Sequence, residues 1–221
     1  MFWTVAVVVT LPLLLVLLYR IVPPPVTPLM VIRVFQGEGI TKQWVPLRQI
    51  SRHAVKAVIS LEDSRFCSHS GIDWSETLDA LSDYLAGERM RGASTISMQT
   101  AKNLFLWPGR DIARKVLEAP LTFMLELTWD KARILEVYLN IAEWGPGVYG
   151  IEAASRKYFR KPAARLTPWE AGLLAAVLPN PRGWSPNRPT AYLRGRVNTS
   201  LARAAKLGNA TRCARPGRHK A

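Results

Sequence analysis

At 221 residues the chain is long enough for one medium domain plus an appendage, and with 48% hydrophobic residues it can bury a real core. Its formal charge of +14 points to a polyanionic partner: nucleic acid, anionic lipid or a phosphorylated substrate. Two cysteines, Cys67 and Cys213, exclude a disulfide framework and a zinc site. They could pair in an oxidising compartment or stay as free thiols.

Residues 1–19 carry no charged side chain and are rich in Val and Leu, the pattern of a membrane-spanning helix. Pro12 is tolerable there, and Trp3 and Tyr19 sit where interfacial aromatics belong. A cleaved signal peptide is the rival. No small-x-small cleavage site precedes Pro23–Pro25, which favours a retained anchor over residues 1–22. The first basic side chain, Arg20, follows the span, so charge alone does not set the orientation.

Residues 23–44 read as a Pro-rich linker and a weakly alternating extended arm. Helices follow. Ser51 caps one over 51–66, with Ala54, Val55, Val58 and Ile59 as its buried stripe. Residues 72–85 form a second, with Trp74, Leu78, Leu81 and Leu85 at helical spacing. Residues 87–92 are a polar loop. Ser94 or Thr95 caps a helix to 105, Asp111 one to about 129 that Pro120 should kink, and Asp130 one ending near 143. The glycine-rich 144–150 is a loop, and 151–159 is a helix. Thr167, Pro168 and Glu170 make a capping box, with the helix continuing to 178. Pro-rich coil over 180–189 leads to a basic helix at 192–207 and a disordered basic tail at 208–221. The class is mainly α.

Glu62 falls where the stripe of its helix calls for an apolar residue. A carboxylate placed there is desolvated, which raises its pKa and suits it to proton transfer near neutral pH. The bland reading is a core-edge Glu satisfied by an arginine. Gln99, Lys102 and Asn103 share one helix face, a wall suited to sugars and phosphate, below an N-terminus that offers free N–H groups to an anion. Arg110, Arg114 and Glu118 are spaced by four, with Lys115 beside them. They read either as a surface ion pair or as a charge-held carboxylate beside a pyrophosphate clamp. Two glutamates in contrasting surroundings fit divided acid/base roles. Residues 131–140 read as scaffold, and the scattered His53 and His69 argue against a histidine metal site. From Arg182 onward there are ten basic side chains and no acidic one, suggesting an anionic neighbour such as a membrane.

Glu62-Asp63-Ser64-Arg65-Phe66 followed by His69 and Gly71 resembles the first signature of the peptidoglycan glycosyltransferases (glycosyltransferase family 51). Gly92-Ala93-Ser94-Thr95-Ile96 with Gln99, Lys102 and Asn103 resembles the second, and Arg114-Lys115 with Glu118 the third. Lys131 with residues 134–140, then Gly150-Ile151-Glu152-Ala153-Ala154 with Tyr158-Phe159, resemble the fourth and fifth. All five occur in order over 45–189, and among the family's branches the chain looks most like the monofunctional biosynthetic transglycosylases.

The resemblance implies a lysozyme-like, mainly α glycosyltransferase domain over 45–207, with a membrane-dipping jaw at about 74–90. It implies polymerisation of lipid II into β-1,4 glycan strands with release of undecaprenyl pyrophosphate. Glu62 would be the general base and Glu118 would assist at the leaving group, directly or through a divalent cation (Mg or Mn) that it would ligate. Lys102 and Arg110 would neutralise the pyrophosphate. Thr95, Gln99, Asn103, Arg114 and Lys115 would position substrate or the motif itself, and Asp63 and Phe66 would hold Glu62 and line the cleft. Partners would be lipid II, the nascent glycan strand, the membrane and other wall-synthesis proteins, with no nucleic acid. The expected location is the inner membrane, single-pass, with a periplasmic catalytic domain. The rival activities are a membrane-anchored lysozyme-like hydrolase, which needs no pyrophosphate clamp, and a non-enzymatic anchored scaffold.

Overall fold

The structure is a computed structural model that describes residues 2–87, 92, 94–109 and 111–214. Arg110, most of the polar loop expected at 87–92, and the chain beyond 214 lie outside the described residues.

The described residues hold ten α-helices and a small sheet, so the mainly α class stands. In chain order the helices are α1 (Phe2–Tyr19), α2 (Pro28–Phe35), α3 (Arg52–Glu62), α4 (Trp74–Leu85), α5 (Ile96–Phe105), α6 (Ile112–Thr128), α7 (Lys131–Ile141), α8 (Ile151–Phe159), α9 (Pro168–Val177) and α10 (Ala191–Lys206). The strands are β1 (Thr41–Lys42), β2 (Glu143–Gly145) and β3 (Val148–Tyr149). They form a sheet of order β1-β3-β2, with β1 parallel and β2 antiparallel to β3.

The helix starts follow the chemistry of their caps. Side-chain oxygens of Ser51, Thr95, Asp111, Asp130, Thr167 and Thr190 each accept a first-turn N–H that the helix cannot satisfy itself. Thr167 and Glu170 close the reciprocal capping box.

Two helix groups result. α3 lies against α9 and α10, while α5 lies against α6 and α7. Between them α7 is buried nearly all round, with Ile134, Leu135, Val137, Tyr138, Leu139 and Ile141 out of water. Each such side chain contributes roughly 1.5–3 kcal/mol by leaving solvent. Asn140 of α7 holds the incoming chain: its amide donates to the Val45 carbonyl and accepts from the Val45 N–H, both at 2.9 Å. Gly150 sits so close to the Asn140 carbonyl that an added Cβ would stand 2.8 Å away, and its φ of +84° suits glycine.

The structure corrects several sequence expectations. Residues 23–44 are not a free extended arm. Thr27 caps α2 and Pro28 opens it, so the apolar run from Leu29 to Phe35, broken only by Arg33, lies on a short helix instead. Nor is the preceding segment loose. Trp129 Nε1 donates to the Val16 carbonyl at 2.9 Å, and Arg133 donates to the carbonyls of Tyr19 and Val22. Lys42 donates to those of Pro24 and Pro25.

The first catalytic-motif helix stops at Glu62, four residues earlier than its apolar pattern suggests, because Asp63 leaves helical geometry to use its carboxylate elsewhere. The loop expected at 144–150 contains the β2–β3 hairpin. Residues 208–214 are not a disordered tail: they form a 3-10 turn that packs on α7 and α3, and Cys213 is disulfide-bonded to Cys67.

α1 is an 18-residue helix without a charged side chain. Among the described residues no helix is long and apolar enough to cross a membrane. Large apolar side chains are nevertheless exposed on α1 (Leu14, Leu18), α4 (Trp74, Leu78, Leu85) and α6 (Ile112, Val116, Leu127).

The disulfide joins residues 146 apart, so cutting it frees a long loop in the unfolded chain. Replacing both Cys67 and Cys213 by serine is expected to lower unfolding stability by about 2–5 kcal/mol in chemical denaturation. An unchanged midpoint with unchanged slope would contradict that coupling.

Candidate active site

Glu62 is the last residue of α3 and its side chain is only 10% exposed. Burial pushes its carboxyl above the ordinary glutamate range. Three groups oppose that rise: a hydrogen bond from Gln99, then the charges of Arg196 and Lys102. Gln99 Nε2 donates to Glu62 Oε2 at 3.1 Å, and Tyr138 donates its hydroxyl to Gln99 Oε1 at 2.9 Å. The amide orientation is therefore fixed from both ends, one by α3 and the other by α7. Among the described residues Glu62 Oε1 has no hydrogen-bond donor; Arg196 NH2 stands at 3.8 Å, which is too long for a hydrogen bond.

Asp63 is buried and works as a brace. Its carboxylate accepts the Ile96 N–H at 2.9 Å, at the first residue of α5, and faces His69 Nε2 at 3.0 Å. Thr95 donates its hydroxyl to the Gly71 carbonyl while capping α5. Gly71 has a φ of +96°, and a Cβ there would press on Thr122 at 2.9 Å. Asp63, His69, Gly71 and Thr95 thus lock the loop after Glu62 to the start of the helix that carries Gln99. Phe66 does not line a cleft: it is fully buried, with Lys131 Nζ 4.6 Å from its ring centre.

The second carboxylate, Glu118 on α6, is 4% exposed at its side chain and is held by Arg114 and by Lys115 Nζ, the latter at 3.0 Å. Lys115 also donates to Ser94 Oγ at 3.1 Å, tying α6 to the approach of α5. Lys102 lies between the two glutamates. Burial and the neighbouring Arg114 lower its pKa, while Glu62 raises it. Asn103, next to Lys102 on α5, is partly buried. Arg110, expected in the same cationic group, lies outside the described residues.

Glu118 does not suit a divalent cation. Both its oxygens are engaged by cationic side chains, and among the described residues no group of three His, Cys, Asp or Glu could hold a metal.

A cavity of about 100 Å³ opens beside Glu62, lined by Asp63, Ser64, Ser94, Thr95 and Arg203 among others. Sequence reasoning missed the α10 arginines, Arg196 and Arg203, and the grip of Tyr138 on Gln99. The arginines share a face seven residues apart on a helix whose basic character was visible. Tyr138 gave no signal, because its apolar neighbours mark it as core.

A desolvated carboxylate with Lys102 within electrostatic reach, beside a second carboxylate held by Arg114 and Lys115, has the chemistry of an enzyme site that could handle both a proton and an anionic group. The sequence matches the transglycosylase family over residues 30–205, and the chain belongs to that family. It is similar to proteins called biosynthetic peptidoglycan transglycosylase. The one from Rhodospirillum centenum is 59% identical over 204 residues, covering 90% of this chain and 88% of the relative. That from Bdellovibrio bacteriovorus is 54% identical, covering 86% and 78%, and that from Caulobacter vibrioides 46%, covering 93% and 86%.

Asp63→Asn replaces one accepting oxygen with a donor beside the Ile96 N–H and His69. It is expected to cost about 1–3 kcal/mol in urea unfolding. Stability equal to wild type would refute the bracing role.

Proposed function

We propose that the chain is a peptidoglycan glycosyltransferase that polymerises lipid II into β-1,4 glycan strands and releases undecaprenyl pyrophosphate. The observation that carries this reading is the pairing of a buried Glu62, one oxygen free, with the cations Lys102, Arg114 and Lys115. A hydrolase would need the acid but not the cations.

Glu62 Oε1 takes the proton of the acceptor's 4-hydroxyl as that oxygen attacks the donor's anomeric carbon. The bond from that carbon to the pyrophosphate oxygen breaks, and the electron pair leaves with the lipid pyrophosphate. Attack from the opposite face turns the α link into a β link. Charge grows on the leaving pyrophosphate, and Lys102 and Lys115 stabilise it, with Arg110 joining them. Glu118 assists by holding Arg114 and Lys115 in place. No step runs through a metal ion, because Glu118 is already paired with cations.

The domain works at a membrane surface, its substrates being lipid-linked. The uncharged α1, with Leu14 and Leu18 facing outward and its end packed on α6 through Val16, is the part of the chain that would serve as a single anchor at the bilayer. The exposed apolar residues of α4 and α6 suit the jaw that dips into it. The Cys67–Cys213 disulfide supports an oxidising compartment, and so a catalytic domain on the periplasmic side of the inner membrane. The helix groups flanking the Glu62 cleft fit a lysozyme-like domain.

Purified wild-type chain given lipid II is expected to make glycan polymer, and Glu62→Gln to lose at least ~100-fold in rate. Polymer from the variant at wild-type rate would sink the proposal, as would release of short sugars from finished wall by the wild type.

The pH dependence follows from the direction of the Glu62 shift. The base must be ionised, and burial raises its pKa, so kcat/KM falls as pH drops through that raised value. The acid limb is expected above the ordinary glutamate value of about 4.3. A flat profile down to that pH would be inconsistent with a desolvated base.

A further inference from the structure

The geometry points to Arg196 as the positioning residue that keeps Glu62 ionised and its Oε1 directed at the acceptor; this rests on the reading of Glu62 as general base. Gln99 occupies Oε2, leaving Oε1 to accept the proton. Among the described residues, Arg196 forms an ion pair with Oε1 at 3.8 Å. That distance gives strong electrostatic attraction in a buried setting, yet leaves the oxygen's lone pairs uncommitted. A direct hydrogen bond from arginine would compete with the substrate for the same oxygen.

Arg196 is held in place by its surroundings. Its neighbour Val197 is fully buried and stands so close to Gly172 of α9 that an added Cβ there would meet it at 2.8 Å. One turn on, Ser200 Oγ lies 3.0 Å from Ser60 Oγ of α3, two residues before Glu62. Further along, Arg203 donates to the Ser60 carbonyl at 3.4 Å and lines the cavity beside Glu62. α10 is therefore fixed against α9 and α3 from Val197 to Arg203, which sets the Arg196 backbone beside the end of α3. The Arg196 Nε–H is buried and has no hydrogen-bond partner among the described residues.

Among the described residues, the cavity that Glu62 lines also carries Arg65, paired with Asp73, together with Glu76 and Arg203. Asp63 adjoins Glu62 and is turned away to Ile96 and His69. α5 brings Lys102, α7 brings Tyr138 behind Gln99, and α10 brings Arg196. The one charged residue of α9, Glu170, is at its N-terminus and paired with Lys161, and the C-terminal 3-10 turn carries Arg212. Of the cations acting on Glu62, Arg196 has the larger influence and Lys102 the smaller. Lys102 faces the leaving group in the proposed reaction, so charge building there during turnover weakens its hold on Glu62. Arg196 comes from α10, which contributes no residue to the proposed leaving-group clamp.

The test is the pH dependence of kcat/KM for polymer formation from lipid II, with wild type, Arg196→Gln, Arg196→Lys and Glu62→Gln. Arg196→Gln removes the charge, so its acid limb is expected to move to higher pH, with a loss on the order of tenfold at the acid end and recovery as pH rises. Arg196→Lys keeps the charge, and its limb is expected to stay where wild type has it. A purely structural role predicts equal loss at every pH with an unmoved limb, and that result overturns the proposal. Should Arg196→Gln fail to fold, Arg196→Met, which keeps the length of the side chain and removes its charge, takes its place: a limb moved to higher pH supports the proposal, and an unmoved one overturns it. An active Glu62→Gln enzyme would overturn the base assignment itself, and this inference with it. An unmoved limb alongside an inactive Glu62→Gln overturns only the role of Arg196.

Discussion

A carboxylate can sit almost out of water at the end of α3 only because a single amide meets it there. Gln99 donates to Glu62 with one end of its side chain and accepts from Tyr138 with the other. The three residues come from α3, α5 and α7, so one chain of hydrogen bonds sets the spacing of three helices. Without that donor, Glu62 would be a buried acceptor with no partner, which is costly in a low-dielectric site. With it, one oxygen is satisfied and the other is left for chemistry.

Much of the remaining architecture keeps that chain in register. Asp63 and Thr95 lock the loop after Glu62 onto the first turn of α5. The disulfide pins the same loop to the C-terminal turn, which packs on α7. On the other flank, Arg114 and Lys115 grip Glu118, and Lys115 also reaches Ser94. The N-terminal segment is fastened to α6 and α7 through Trp129 and Arg133. The C-terminal end of the proposed anchor, at Val16 and Tyr19, is thus joined to the body of the domain, so bilayer and cleft would keep a set relation.

Local chemistry was legible wherever one residue type has one use. The caps at Ser51, Thr95, Asp111 and Thr167 are of that kind, and so is the misfit of Glu62 on an apolar stripe. The charge-held Glu118 and the lysine between the two glutamates could also be read from spacing. What escaped were matters of tertiary choice. Residues 28–35 are short enough for alternation and helical periodicity to look alike, and the Thr27-Pro28 cap decided between them. Two cysteines 146 residues apart cannot be paired from sequence. Phe66 looks like a cleft residue from its place in the motif, yet it fills the core beneath Lys131. Arg196 is one of many arginines on a basic helix, and only the packing of α10 on α3 brings it to Glu62.

The central claim is that Glu62 holds its proton more tightly than an ordinary glutamate and yet is the base. A direct titration of its carboxyl tests this, by infrared difference spectroscopy of wild type against Glu62→Gln in the absence of substrate. The account requires a carboxyl band, missing from the variant, that titrates above the ordinary glutamate value of about 4.3. A Glu62 band titrating at or below that value would contradict it.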